Sequence, residues 1–457
     1  MNDYQLIIIG TGPGGYVAAV RAAQLGLKTA VVENREIGGT CLNRGCIPTK
    51  SLLHAAELYS QMRESALFGL SGDGVGFDFF AVQERKGAVV DKLRCGIEAL
   101  FKTNKVDVLR GLGTIVGAGS VMVGERVYTA DDILIASGSV PSRPPIPGLE
   151  LPGVFTSDEL LGGEAHLLRS LIIIGGGVIG VELAGVYAAF GCEVTVVEAM
   201  DRILPTMDKE ISQNLSMIFK KRGIKVLAAA LVERIEQDGD ELVCHLTSKE
   251  KTLSIRAENV LVAIGRRPNT QGLLDEGVTL EIERGRIVTD ACFRTSMEHV
   301  YAIGDVSSKV QLAHAAEAQG IACAEHIAGG KPSVDVSLIP SCIYTSPEIA
   351  AVGLTEADCK AQGISAVCGK YVMHSNAKTV IVNGERGFIK VVAEAETGRL
   401  LGAQMMCERA TDMISELSSA ILNGLTCAQL RAVMRPHPTF SEGVSSALES
   451  LESTLHN

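Results

Sequence analysis

Tyr4-Gln-Leu-Ile-Ile-Ile-Gly10-Thr-Gly-Pro-Gly-Gly15 reads as an apolar strand running straight into a glycine turn. A helical stretch at 16–25 follows, then a strand at 28–33 ending on Glu33. The same order recurs at Leu171-Ile-Ile-Ile-Gly175-Gly-Gly-Val-Ile-Gly180, with a helical stretch at 181–190 and a strand at 193–198 ending on Glu198. A lone G-x-G-x-x-G is weak evidence. Here each copy follows a strand, opens a helix and has a Glu eighteen residues beyond its last glycine. Gly10 and Gly175 suit the tight turn, Gly12 and Gly177 let backbone approach a pyrophosphate, and Gly15 and Gly180 let helix pack close to strand. Glu33 and Glu198 suit a ribose 2′-hydroxyl. The bland alternative, tight turns in an α/β sheet without a ligand, is opposed by the paired acids.

Two dinucleotide folds in one chain imply two dinucleotides, and electron transfer between a flavin and a nicotinamide is the natural use of such a pair. FAD is expected at one site and NAD at the other. At the second site Glu198 would repel a 2′-phosphate, whereas Arg202, four residues on, would attract one; the acid holds the fingerprint position, so NAD is expected over NADP. Downstream, 259–265 reads as a strand, Arg266-Arg-Pro-Asn269 as an exposed turn, and 299–305 as a strand ending on Gly304-Asp305. An alanine-rich helix is expected at 310–327, with a boundary beginning at Lys331-Pro332. From about Ser337, a strand at 387–393 and helices at 413–422 and 427–434 give an α+β pattern. The expected fold is therefore α/β, with two Rossmann-like domains and a C-terminal α+β domain. The FAD domain is placed at 1–145 and 266–336, the NAD domain at 146–265 and the C-terminal domain at 337–457.

With 457 residues the chain is long enough for two to four domains at roughly 100 to 200 residues each. Its 46% hydrophobic content argues against disorder. Lys and Arg number 42 against 53 Asp and Glu, so the basic excess that nucleic-acid or anionic-membrane binding needs is missing. The first ten residues offer only Leu6 to Ile9 as an apolar run, too short for a signal peptide, and later apolar runs fall far below the ~18 residues of a membrane span. A cytoplasmic protein is expected.

Twelve cysteines are too few for a disulfide scaffold of this length, and ten are isolated, read as small hydrophobes or incidental thiols. Cys41 and Cys46 differ, in Gly38-Gly-Thr-Cys41-Leu-Asn-Arg-Gly-Cys46-Ile-Pro-Thr-Lys50 directly after the first fold. Such a pair is open to three readings: a redox disulfide, a metal site or inert thiols. A zinc site would space its cysteines two to four apart and need further ligands, which the neighbourhood lacks. A disulfide is favoured, although an undistorted helix would hold Cα atoms five residues apart at about 8 to 9 Å, beyond the roughly 7 Å limit. The segment must therefore bend, and Gly45 permits it. No metal is expected.

Gly38 to Lys50, Gly175 to Glu182, Tyr301-Ala-Ile-Gly-Asp305, Leu312-Ala-His-Ala-Ala-Glu317 and His437-Pro-Thr-Phe-Ser-Glu442 together resemble the pyridine nucleotide-disulfide oxidoreductases over essentially the whole chain. The resemblance implies that Cys41 is the interchange thiol, Cys46 the flavin-facing one, and Lys50 and Glu182 a pair near the flavin's reactive nitrogen. It implies Asp305 at the ribityl chain or a nearby phosphate, Gly113 and Ala313 at the adenine and the isoalloxazine edge, and Gly265 in the NAD site. Gly14, Gly39, Thr40, Ser137, Gly138, Val178 and Ile179 complete the expected cofactor-binding set. His437 and Glu442 would carry the proton chemistry, an imidazole in the right titration range oriented by a carboxylate. Pro436 and Pro438 bracket that histidine and bias it toward extended backbone. His314 and His374 receive less weight. In this family the histidine comes from the partner subunit, so the resemblance implies a homodimer with an inactive monomer, and makes the C-terminal domain the dimerisation domain.

The activity so implied is oxidation of a protein-bound dihydrolipoyl group with reduction of NAD. The partner would be a lipoyl-bearing carrier protein or domain of a 2-oxoacid dehydrogenase or glycine cleavage complex. Reduction of another disulfide such as glutathione by NAD(P)H is the alternative; Glu198 opposes its NADPH form. Mercuric-ion reduction would call for cysteines near the C-terminus, and none follows Cys427. A flavoprotein kept only for binding is opposed by the retained redox pair. Two departures stand out: Ser137 replaces a usual threonine, and Arg44 replaces a small apolar residue. Arg44, close to both sulfurs, is expected to depress a cysteine pKa through its charge.

Overall fold

An apolar run such as Leu6-Ile-Ile-Ile9 needs burial on both faces, and a parallel strand between two helical layers supplies it. The computed structural model describes residues 2–72, 74–163, 167–249 and 251–455, and in it Leu6, Ile7 and Ile8 are fully buried. Strand Tyr4–Ile9 pairs in parallel with Thr29–Glu33 and with Arg126–Ile135. These belong to a seven-stranded sheet edged on one side by Asp107–Arg110. On the other, Ser120–Val123 and Gly113–Gly117 add antiparallel strands, and Val300–Ala302 returns from far along the chain to pair with Arg126–Ile135. Helices Pro13–Gln24 and Ala313–Ile327 pack against each other beside this sheet.

The second nucleotide fold is a five-stranded parallel sheet in the order Lys225–Ala228, Glu193–Glu198, Ser170–Ile174, Asn259–Val262, Val154–Thr156. A three-stranded antiparallel meander, Ala230–Asp238, Glu241–Ser248 and Lys251–Ala257, shares its core. The C-terminal part is a five-stranded antiparallel sheet covered by helices Ala410–Leu422 and Glu442–Leu455. No helix among the described residues is long and apolar enough to cross a membrane.

Several boundaries differ from the sequence expectation. Both nucleotide helices start three residues earlier than predicted, at Pro13 and Val178, because Gly12 and Gly177 are their extended N-caps. The first turns, Pro13-Gly-Gly15 and Val178-Ile-Gly180, each end on the last glycine of the loop pattern, so in sequence they read as part of the glycine turn rather than as helix. The alanine-rich helix starts at Ala313, after an extended Leu312, rather than at 310. The expected helices at 413–422 and 427–434 run Ala410–Leu422 and Cys427–Arg431. The largest correction concerns 266–269: Arg266–Pro268 is a strand paired antiparallel with Ser139–Pro141, and the Arg266 side chain is only 14% exposed. Its composition reads as a turn, but buried acceptors draw the guanidinium inward.

Gly10 and Gly175 have φ of +105° and +111°, a region that favours glycine. A Cβ on Gly15 would collide with the Gly10 carbonyl, and one on Gly180 with the Gly175 carbonyl. Gly185 lies in the same helix as Gly180, and a Cβ there would meet nothing within 4 Å. One substitution should therefore have opposite signs five residues apart. Gly185→Ala should raise the thermal midpoint, gaining about 0.5–1 kcal/mol of helix propensity, while Gly180→Ala should lower it. Equal shifts in a thermal melt would contradict the helix–strand contact.

Candidate active site

The glycine loops of both folds open on one cavity of about 1530 Å³. Gly10, Gly12, Gly14, Glu33, Gly39, Thr40, Cys41, Cys46, Lys50, Gly113, Ser137, Gly138, Asp305 and Ala313 line it. So do Gly175, Gly177, Val178, Ile179, Glu182, Glu198 and Gly265. Gly15 and Gly180 lie behind the loops as helix–strand contacts. A Cβ on Gly12 or Gly177 would meet no protein atom within 4 Å. That open space beside a helix N-terminus is what a pyrophosphate requires, so the residues fit two dinucleotides.

The two acids also hold their loops. Glu33 Oε2 accepts from Thr11 N at 3.0 Å and Thr11 Oγ1 at 2.5 Å, and its Oε1 from Arg35 N at 2.9 Å. Glu198 repeats this with Gly176 N and Met200 N, both at 2.7 Å. Arg202 instead turns to Asp201 and to the Pro205 carbonyl.

Cys41 and Cys46 are joined as a disulfide with a Cα–Cα distance of 4.7 Å. The chain achieves this by breaking the helix at Gly45 (φ −137°, ψ −107°), between helices Gly39–Arg44 and Cys46–Arg63. Arg44 does not present an unpaired charge here: its guanidinium is ion-paired with Glu36. One turn on, Lys50 Nζ lies 2.9 and 3.1 Å from the two oxygens of Glu182, whose side chain is 3% exposed. The Tyr344 backbone N–H donates to Glu182 Oε1 at 2.8 Å.

Asp305 accepts from the Ser139 hydroxyl at 2.5 Å. Arg266 donates to that hydroxyl and to the Ser139 carbonyl, each at 2.8 Å, and to Asp158 at 3.1 Å. Burial raises the Asp305 carboxyl above its ordinary value, with Ser139 and Arg266 pulling the other way. Ser137 donates to the Asn269 carbonyl at 2.7 Å.

His437 and Glu442 do not line the cavity of the single chain; the His437 side chain is 73% exposed. They contact each other, Nδ1 to Oε1 at 2.9 Å, while Thr439 N–H donates to Glu442 Oε2 at 2.8 Å. His314 Nε2 lies 2.8 Å from the Pro340 carbonyl, and His374 borders a separate small pocket. Thr11, Ser139, Asp158, Arg266 and Tyr344 were not singled out from sequence. Thr11 alone carried a signal, as a hydroxyl inside the glycine turn; the others depend on tertiary contacts. Cys342, read as an incidental thiol, lines the cavity, but burial pushes it up to about 11, so it stays protonated at neutral pH. Among the described residues no group of three or more side chains could hold a metal ion.

A disulfide sharing one cavity with two dinucleotide loops defines an enzyme that moves electron pairs between sulfur and a pyridine nucleotide. The chain belongs to the pyridine nucleotide-disulphide oxidoreductase family: that family's model matches residues 4–320, and the model of its dimerisation domain matches residues 339–448. It is an oxidoreductase that uses FAD and NAD. It is 43% identical to a dihydrolipoyl dehydrogenase of Bacillus subtilis over 98% of this chain and 97% of the relative. Identity to a dihydrolipoyl dehydrogenase of Thermus scotoductus is 40%, over 99% and 98% of the two chains. Among solved structures, the HOCl-induced flavoprotein disulfide reductase RclA of Escherichia coli superposes with a TM-score of 0.87 at 29% identity, covering 98% of this chain and 99% of that one.

The Thr439 N–H, and after it the His437 contact, hold the Glu442 carboxyl below its ordinary value. Glu442 therefore stays ionised below the usual carboxylate range; the stability it adds is present above the unfolded pKa and lost as pH falls through the folded one. Carboxyl NMR titration should place Glu442 below a free glutamate. His437→Ala should move it only part of the way back, since the larger contribution, from Thr439, survives. A midpoint unmoved by His437→Ala would contradict the contact.

Proposed function

We propose that the enzyme oxidises the dihydrolipoyl group of a carrier protein or domain and reduces NAD, serving a 2-oxoacid dehydrogenase or glycine cleavage complex in the cytoplasm. The observation that carries this reading is the Cys41–Cys46 disulfide in the same cavity as both glycine loops. Full-length similarity to dihydrolipoyl dehydrogenases supports the substrate.

In this reading the parts at 1–145 and 266–336 hold FAD, 146–265 holds NAD and 337–457 forms the dimer. Gly10, Gly12, Gly14, Glu33, Gly39, Thr40, Gly113, Ser137, Gly138, Asp305 and Ala313 seat FAD. Gly175, Gly177, Val178, Ile179, Gly180, Glu198 and Gly265 seat NAD, and Gly15 holds the first helix to its strand. Bound FAD supplies the two-electron link between dithiol and nicotinamide.

The chain's own chemistry is thiol exchange. A substrate thiolate attacks Cys41 and releases the Cys46 thiolate; the second substrate thiol then displaces Cys41, leaving an oxidised substrate and a reduced Cys41–Cys46 pair. His437 of the partner subunit takes the proton from the attacking thiol, and Glu442 of the partner subunit orients the imidazole and stabilises its protonated form. The 73% exposure of His437 in one chain supports its use across a dimer interface. Lys50 and Glu182 set the charge beside the flavin.

Purified holoenzyme with dihydrolipoamide should reduce NAD rapidly and NADP slowly, Glu198 lacking a partner for a 2′-phosphate. His437→Gln should cut this turnover by roughly 10²–10⁴-fold while NADH still reduces the flavin. Turnover failing with dihydrolipoamide but proceeding with another disulfide and NADH would move the substrate and keep the mechanism.

A further inference from the structure

The Lys50–Glu182 pair is gripped by a third residue from the far end of the chain. Tyr344 follows strand Ser341–Ile343 of the C-terminal sheet and contacts both partners by different means. Its backbone N–H donates to Glu182 Oε1 at 2.8 Å, and Lys50 Nζ lies 4.5 Å from its ring centroid, within the roughly 6 Å reach of a cation–π contact. Glu182 is 3% exposed and fixed by hydrogen bonds, whereas the Lys50 side chain is 31% exposed on a long flexible stem. One carboxylate does not by itself fix an ammonium on such a stem. The ring adds a second wall.

We propose that Tyr344 is a positioning residue that confines the Lys50 ammonium against the flavin site, so that the C-terminal sheet helps set the electrostatics of hydride transfer. This rests on the reading that Lys50 and Glu182 face the flavin. Side-chain substitution keeps the backbone N–H, so it isolates the ring's effect on Lys50 from the anchoring of Glu182.

The test compares Tyr344→Leu and Tyr344→Phe holoenzymes by anaerobic stopped flow and by the flavin midpoint potential. Tyr344→Leu should slow flavin reduction by NADH roughly three- to tenfold. It should also make the potential more negative, because a fixed cation favours the electron-rich flavin. Reduction of the Cys41–Cys46 disulfide by dihydrolipoamide should keep its rate. Tyr344→Phe, which keeps a ring, should restore both readouts. An unchanged potential in Tyr344→Leu, or a Tyr344→Phe as impaired as Tyr344→Leu, would overturn the proposal. Lys50→Met separates the two layers: a shifted potential there with Tyr344→Leu silent overturns Tyr344 alone, and an unchanged potential in Lys50→Met overturns the pair and the proposal with it.

Discussion

The active site depends on a constraint of parallel sheets: every strand hands its chain to a crossover from the same edge, so loops and helix N-termini gather at the carboxyl ends. Here the parallel strands of two sheets turn those ends toward one cavity. Gly10, Glu33, Ser137 and Asp305 follow or end strands of the first sheet, and Gly175, Glu198 and Gly265 do so in the second. An electron relay needs its groups in contact, and this arrangement places both nucleotide loops and the disulfide around one space. The acids serve the same end twice. Glu33 and Glu198 face the cavity and also accept from N–H groups of their glycine loops, so in the proposed reading the acid that would meet a ribose also fixes the turn that would meet the phosphates.

Charges buried around this cavity tie the sheets together. Ser139 and Asp305 come from the first sheet's loops, while Asp158 and Arg266 follow strands of the second. Arg266 bonds to Ser139 and Asp158, and Ser139 passes the contact on to Asp305. Arg266 and Asp158 are only 14% and 15% exposed, and the Ser139 hydroxyl and carbonyl hold the guanidinium from the other side, so it bridges the two sheets through three acceptor atoms. The network thus works as a joint between the two nucleotide folds.

Legibility from sequence followed range of interaction. The two strand–glycine–helix–strand units were readable because their signals are local: apolar runs, glycine spacing and an acid at a fixed offset. The break at Gly45 was readable from geometry, since five helical residues cannot bring two sulfurs together. Arg266 was not legible because Arg-Arg-Pro-Asn has turn composition, and only a strand at 139–141 and three acceptor atoms from Ser139 and Asp158 make it an inward-facing element. Tyr344 was invisible for the same reason, being joined to Lys50 and Glu182 across gaps of hundreds of residues.

Arg44 shows how tertiary context rewrites a local charge argument. A lone guanidinium two residues from Cys46 would draw a thiol toward thiolate. Paired with Glu36, it presents opposite charges in contact, whose combined field falls faster with distance than that of a single charge. Its stem meanwhile lies against Gly162, where a Cβ would come within 3.1 Å of Arg44 Cγ. This fastens the Gly39–Arg44 helix to the Ser157–Gly162 helix, which also carries Asp158 of the Arg266 network. The redox turn is thereby linked to the joint between the two sheets. The ion pair with Glu36 is local to residues 36–44, and with Glu36 46% exposed it is open to salt screening, while the packed stem that meets the second helix is not. The broken helix is held by packing first and by charge second.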